Sequence, residues 1–144
     1  MHLFTREINN WDDWDKLIQS VSAFAPLVAH IFQNEKLPMS KIENLTNGTN
    51  AIFRVGGYVI KILPPTETCN PSEGHGTDID LELFGMRLAH ERNVPAPKCI
   101  VDGEVNDKYH FRYIIMTYIH GKTLCDRVVV PPTCAVKFII AVLK

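Results

Sequence analysis

From Leu45 to Leu63 the chain reads LTNGTNAIFRVGGYVIKIL, and its apolar residues fall into two short β-branched and aromatic runs on either side of Gly56-Gly57. That pattern predicts a hairpin with strands Ala51 to Val55 and Tyr58 to Leu63. With a two-residue turn, Val55 faces Tyr58, Arg54 faces Val59, Phe53 faces Ile60 and Ile52 faces Lys61. Alternation then puts Ile52, Arg54, Val59, Lys61 and Leu63 on one face, and Ala51, Phe53, Val55, Tyr58, Ile60 and Ile62 on the other.

The rest of the chain is read in the same way. Asn10 can cap a helix in which Trp11, Trp14, Leu17, Ile18 and Val21 recur at helical spacing, with Asp12 and Asp13 in its first turn. A second helix follows, with Phe24, Leu27, Val28, Ile31 and Phe32 on one side, Pro26 near its start, and an end before Leu37-Pro38. These aromatic residues are read as packing. Lys41 to Leu45 begins a sheet that the hairpin continues. Thr66 to Gly76 is loop chemistry, with Cys69 and His75 as solvated residues. Thr77 can cap a third helix, with Asp78 and Asp80 at its positive end, running to about Arg92. In it Glu82 falls beside Ile79, Leu83 and Met86, while Leu81, Phe84 and Leu88 line the opposite side, which predicts a largely enclosed helix. Further strands are expected at Lys98 to Val101 and Arg112 to Tyr118, joined by polar turns around Asp102-Gly103 and Asn106-Asp107. The pieces make an α+β chain: two N-terminal helices, about five antiparallel strands and one inserted helix.

Lys61 stands out because Val59 and Leu63, two positions either side on its face, are apolar. One account is a strand lysine whose stem lies on the surface while its ammonium reaches water. The other is a cation beside an apolar slot. There a flat heteroaromatic ring would lie against Ile52 and Val59, Lys61 would meet its phosphates, and the backbone N–H groups of Asn47, Gly48, Thr49 and Asn50 would cradle an anion. A loop with a single glycine is much less specific than a Walker A motif. Glu82 has the same two accounts: a surface carboxylate bordering an apolar stripe, or a charge that needs a partner.

Composition narrows the classes. The 144 residues suffice for one domain or one lobe of something larger, and with 46% hydrophobic and 22% charged residues and a net charge of −1 nothing in the bulk charge points to nucleic acid or membrane. The four cysteines form no C-x-x-C pair and read as reduced thiols of a cytoplasmic protein. The six histidines make no H-x-x-x-H or H-E-x-x-H pattern, so no metal site is expected. No targeting segment is read at the start. Ala135 to Leu143, broken by Lys137, is short of the ~20 apolar residues a spanning helix needs.

The order of sheet, glycine loop, face lysine, acidic helix and a strand running into a Gly121 break resembles the aminoglycoside phosphotransferase family, antibiotic kinases and kinase-like small-molecule phosphotransferases. The stretches that carry the resemblance are NGTNAIFRVGGYVIKI, the helix through ERNVPAPK, and YIIMTYIHGKTL. It covers about Ile42 to Leu124 and implies a protein-kinase-like small lobe at 41–124. Residues 1–40 would be a helical extension and 125–144 an atypical tail. The resemblance implies that Lys61 contacts the α- and β-phosphates of ATP and that Glu82 pairs with it. It further implies that Ile52 and Val59 cover the adenine, that Met116 backs the pocket, and that Thr117, Tyr118 and Ile119 form the hinge. There the Thr117 carbonyl and the Ile119 N–H would bond the adenine edge.

Family members also carry an H-x-D catalytic loop followed by an Asn, and then an Asp that binds Mg2+. No H-x-D occurs here, and the only carboxylate after Gly121 is Asp126. The expectation is therefore the ATP-binding part of a kinase that phosphorylates a hydroxyl of a small molecule, present as a fragment or with an altered reading frame near Asp126. In that reading a small-molecule acceptor would bind only with a large lobe. The alternatives are a non-catalytic interaction module of the same ancestry and an unrelated α+β binding domain.

Overall fold

The computed structural model describes residues 1–46, 48–70 and 79–121. In chain order these form α1 (Trp11–Leu17), α2 (Val21–Asn34), β1 (Ile42–Asn44), β2 (Ala51–Val55), β3 (Tyr58–Ile62), α3 (Ile79–Glu91), β4 (Cys99–Asn106) and β5 (His110–Thr117). The strands make one sheet in the order β1-β2-β3-β5-β4, with every neighbouring pair antiparallel. The class is α+β, as expected.

The β2–β3 hairpin has the register its alternation dictates, with Ile52 opposite Lys61 and Val55 opposite Tyr58. Gly56 turns the chain with φ of 62°, and a Cβ there would also press on Ser40, so glycine is needed at this first turn position. One face of the sheet, carrying Phe53, Ile60, Phe111 and Ile115, shares a single core with Trp14 of α1 and Phe24, Leu27 and Phe32 of α2. The other face carries Val59, Leu63, Ile114 and Met116 and meets Ile79, Leu83 and Met86 of α3. The sheet thus lies between helices on both sides.

Several expectations change. Val21 opens α2 rather than closing α1, because Ser20 caps the second helix by accepting from the Ala23 N–H, and the Ser20 N–H itself bonds Leu17 O at 2.8 Å. Strand β4 runs on to Asn106 instead of turning at Asp102-Gly103. Gly103 lies opposite Tyr113 in the ladder, and the bend comes at Asp107, whose N–H bonds Tyr109 O. A glycine in a strand signals close approach as readily as a turn. Cys69 is buried at 1% exposure within the main core and is not a solvated loop residue. Nor is α3 enclosed: Leu81 is 66% and Phe84 55% exposed, so only its Ile79, Leu83 and Met86 side is packed. His75, Thr77, Asp78 and the tail 125–144 lie outside the described residues.

The first ten residues matter more than their sequence suggested. Phe4 and Ile8 are completely buried in the main core, with the Phe4 ring against Phe24 of α2 and Phe111 of β5. Asp107 accepts hydrogen bonds from the Leu3 and Phe4 N–H groups at 3.0 and 2.8 Å, and Tyr109 Oη accepts one from the Ile8 N–H at 2.9 Å. Burial alone would push the Asp107 carboxyl up, but the N–H groups of Phe4, Leu3 and Lys108 hold it below the ordinary carboxylate range.

Candidate functional site

Alternation along β3 points Val59 and Lys61 to the α3 side of the sheet, and the ladder sets Val59 beside Met116 and Lys61 beside Ile114 of β5. Helix α3 crosses this face from its first turn. Asp80 reaches Arg112 at 3.7 Å, and Glu82 Oε2 lies 2.6 Å from Lys61 Nζ. Both carboxylates sit at the positive end of the helix, where they are favoured. The Lys61 side chain keeps 15% of its exposure and that of Glu82 27%, so this pair is much better shielded than Asp80–Arg112. An ammonium has three N–H donors, and Glu82 takes one, which leaves two for anionic oxygens.

Of the two expected apolar walls, Ile52 is half-buried and Val59 only 9% exposed. Met116 stands behind Val59 at 8% exposure, with Cys99 and Tyr118 packed against the same cluster. The side chains beside Lys61 are therefore apolar, and Val59 and Met116 are buried in a cluster shared with Ile79, Leu83 and Met86 of α3. Thr117 belongs to β5, paired with Tyr58, and the chain leaves the sheet only at Tyr118. The Thr117 hydroxyl accepts from the Lys98 N–H at 2.9 Å, while the Tyr118 N–H donates to Gly57 O at 2.9 Å. Ile119 is 52% exposed.

The loop before β2 is anchored from the opposite side of the sheet. The Trp14 indole N–H donates to Thr49 O at 2.8 Å and the Gln19 amide to Leu45 O at 3.1 Å. Gly48 and Thr49 are exposed and Asn50 is 4% exposed, while Asn47 lies outside the described residues. A Cβ on Gly48 would meet nothing, so that glycine is not demanded by packing.

One neighbour was not weighed in the sequence. Arg54, on the face of Ile52 and Lys61, stacks its guanidinium 4.2 Å from the centre of the Tyr118 ring and donates through Nε to Gly56 O at 3.0 Å. This stack ties the hairpin turn to the segment after β5 and bounds the Lys61 face at its outer end. Its signal was the hairpin register, which already gave Arg54 the same side as Lys61. Among the described residues no group of three or more His, Cys, Asp or Glu side chains could hold a metal ion. No family model matches the chain, and neither a curated protein nor a solved structure is significantly similar to it.

Proposed function

We propose that residues 41–124 are the nucleotide-binding part of a kinase-like small-molecule phosphotransferase, of the aminoglycoside phosphotransferase type. The Lys61–Glu82 contact carries the reading. It joins two charges that the sequence left without explanation, on an apolar face, across 21 residues of chain. In this reading Glu82 holds the Lys61 ammonium in position, its two remaining donors meet the α- and β-phosphates of ATP, and Ile52, Val59 and Met116 border the base. Tyr118 and Ile119 would follow the adenine edge, with Gly48 and Thr49 offering backbone N–H groups to the phosphates. Bound Mg2+ would neutralise phosphate charge, but the described residues fit no such ion, so none of them is assigned to it. The acceptor site and the base for the acceptor hydroxyl are likewise assigned to no residue of this sequence.

Thermal melting with and without ATP tests the reading. A ligand that binds only the folded chain raises the melting temperature by mass action. An ATP-dependent rise that disappears in Lys61→Met supports the assignment, and a melting temperature indifferent to millimolar ATP contradicts it.

A further inference from the structure

Between α3 and the start of β4 runs an open cleft of about 480 Å³, floored by Met86 and Cys99 and walled by Arg87, His90 and Glu91 of the helix and Lys98 before the strand. Its floor, Met86 and Cys99, also packs against the cluster of Val59 and Met116, but its charged walls take no part in the nucleotide reading. Its charge is unlike the chain as a whole. The net charge is −1, yet from Met86 to Lys98 the cations Arg87, Arg92 and Lys98 stand against one carboxylate, Glu91. Among the described residues none of these four joins an ion pair. Nor are the cations occupied in capping the helix. Asn93, at φ of 55°, closes it with its own N–H to His90 O and the Val94 N–H to Ala89 O. His90 Nε2, 3.3 Å from Pro97 O, bridges the connection to β4 and firms one end of the cleft.

Phe84 lies one turn before Arg87 on the same side of α3 and is 55% exposed. An exposed phenylalanine one turn from a partly apolar cleft whose two cations join no ion pair combines a hydrophobic anchor with charge selectivity. We infer that this surface docks an acidic, apolar peptide segment of a partner protein, with one apolar side chain in the cleft against Met86, another against Phe84 on the outer side of α3, and carboxylates at Arg87 and Lys98. A basic or purely apolar partner would leave the cations desolvated without compensation.

The probe is a capped, fluorescein-labelled peptide alternating Phe or Leu with Glu, titrated with the full chain by fluorescence anisotropy beside its Gln-for-Glu analogue. The acidic peptide is expected to bind saturably and at least about tenfold tighter than the analogue, and added salt should weaken it. Arg87→Glu with Lys98→Glu should remove about tenfold or more of that affinity, and Phe84→Ala several-fold. These residues are exposed, and an unchanged melting temperature verifies the fold of each variant. If a variant misfolds, the paired peptides and the salt series on the unaltered chain decide alone. Equal binding of the two peptides, no saturable binding, or affinity indifferent to charge reversal overturns the proposal. So does a concentration-dependent dimer that Phe84→Ala dissolves, since a second copy would then be the occupant.

Discussion

Lys61 Nζ of β3 and Glu82 Oε2 of α3 are 2.6 Å apart, the cation 15% and the carboxylate 27% exposed. Separation from water sets the worth of such a pair. Exposed pairs contribute ~0.2–1 kcal/mol, whereas removing one partner of a buried pair costs ~3–5 kcal/mol, because a charge is stranded.

The intermediate shielding of this pair predicts an intermediate cost. Lys61→Met should destabilise the chain by about 1–3 kcal/mol. Combined with Glu82→Gln it should cost about 1 kcal/mol less than the sum of the single changes, because no uncompensated charge remains. Denaturant unfolding of the four species measures the coupling, and a value near zero would reduce the contact to a surface encounter.

Gly103 and Tyr113 set a steric prediction. A Cβ at position 103 would fall 2.5 Å from Tyr113 Oη and 2.7 Å from its Cζ. The ring cannot move aside freely, since Tyr113 is 4% exposed and donates to Glu35 Oε1 at 2.5 Å. Gly103→Ala should therefore cost about 1–3 kcal/mol, as overpacked sites do. Gly57→Ala, where a Cβ meets nothing, should stay within about 0.5 kcal/mol. A neutral Gly103→Ala would mean that the ladder is looser than described.

Asp107 gives the chain an acid-sensitive strap. Its folded pKa is depressed, so its stabilisation is complete above the unfolded value near 3.8 and is lost as pH falls through the folded value. Asp107→Asn should be less stable than the unaltered chain at neutral pH, and the gap should narrow below about pH 4. Melting temperatures across that range measure it, and a gap that widens on acidification contradicts the assignment.

The proposed nucleotide-binding reading expects no phosphotransfer from these 144 residues by themselves, because an H-x-D catalytic loop is not among them and only Asp126 follows Gly121 as a carboxylate. Protein-dependent ADP release from a purified sample, abolished by Lys61→Met, would refute this.

The parts legible in the sequence were those fixed by local chemistry. Gly56-Gly57 and strict alternation gave the hairpin register, and with it the face shared by Ile52, Val59 and Lys61. Glu82 was legible as a carboxylate without an obvious partner, although its distance from Lys61 depends on how α3 crosses the sheet. What was misread depends on tertiary contact. Phe4, Ile8 and Cys69 sit in segments without periodicity, so only their burial reveals them as core. Gly103 reads as a turn until Tyr113 is seen lying over it. The apolar stripe Leu81–Phe84 suggested burial on both sides of α3, and nothing local distinguishes a packed stripe from an exposed one.

The central claim is that ATP occupies the face of Lys61, Ile52, Val59 and Met116. Methyl NMR of the full chain titrated with ATP tests it most directly, since the Ile52, Val59 and Met116 methyl groups report from beside the proposed base. The account predicts saturable shifts confined to these signals, with affinity weakened about tenfold or more in Lys61→Met. An absence of saturable shifts up to roughly 10 mM ATP, or shifts elsewhere that Lys61→Met leaves unchanged, would contradict it.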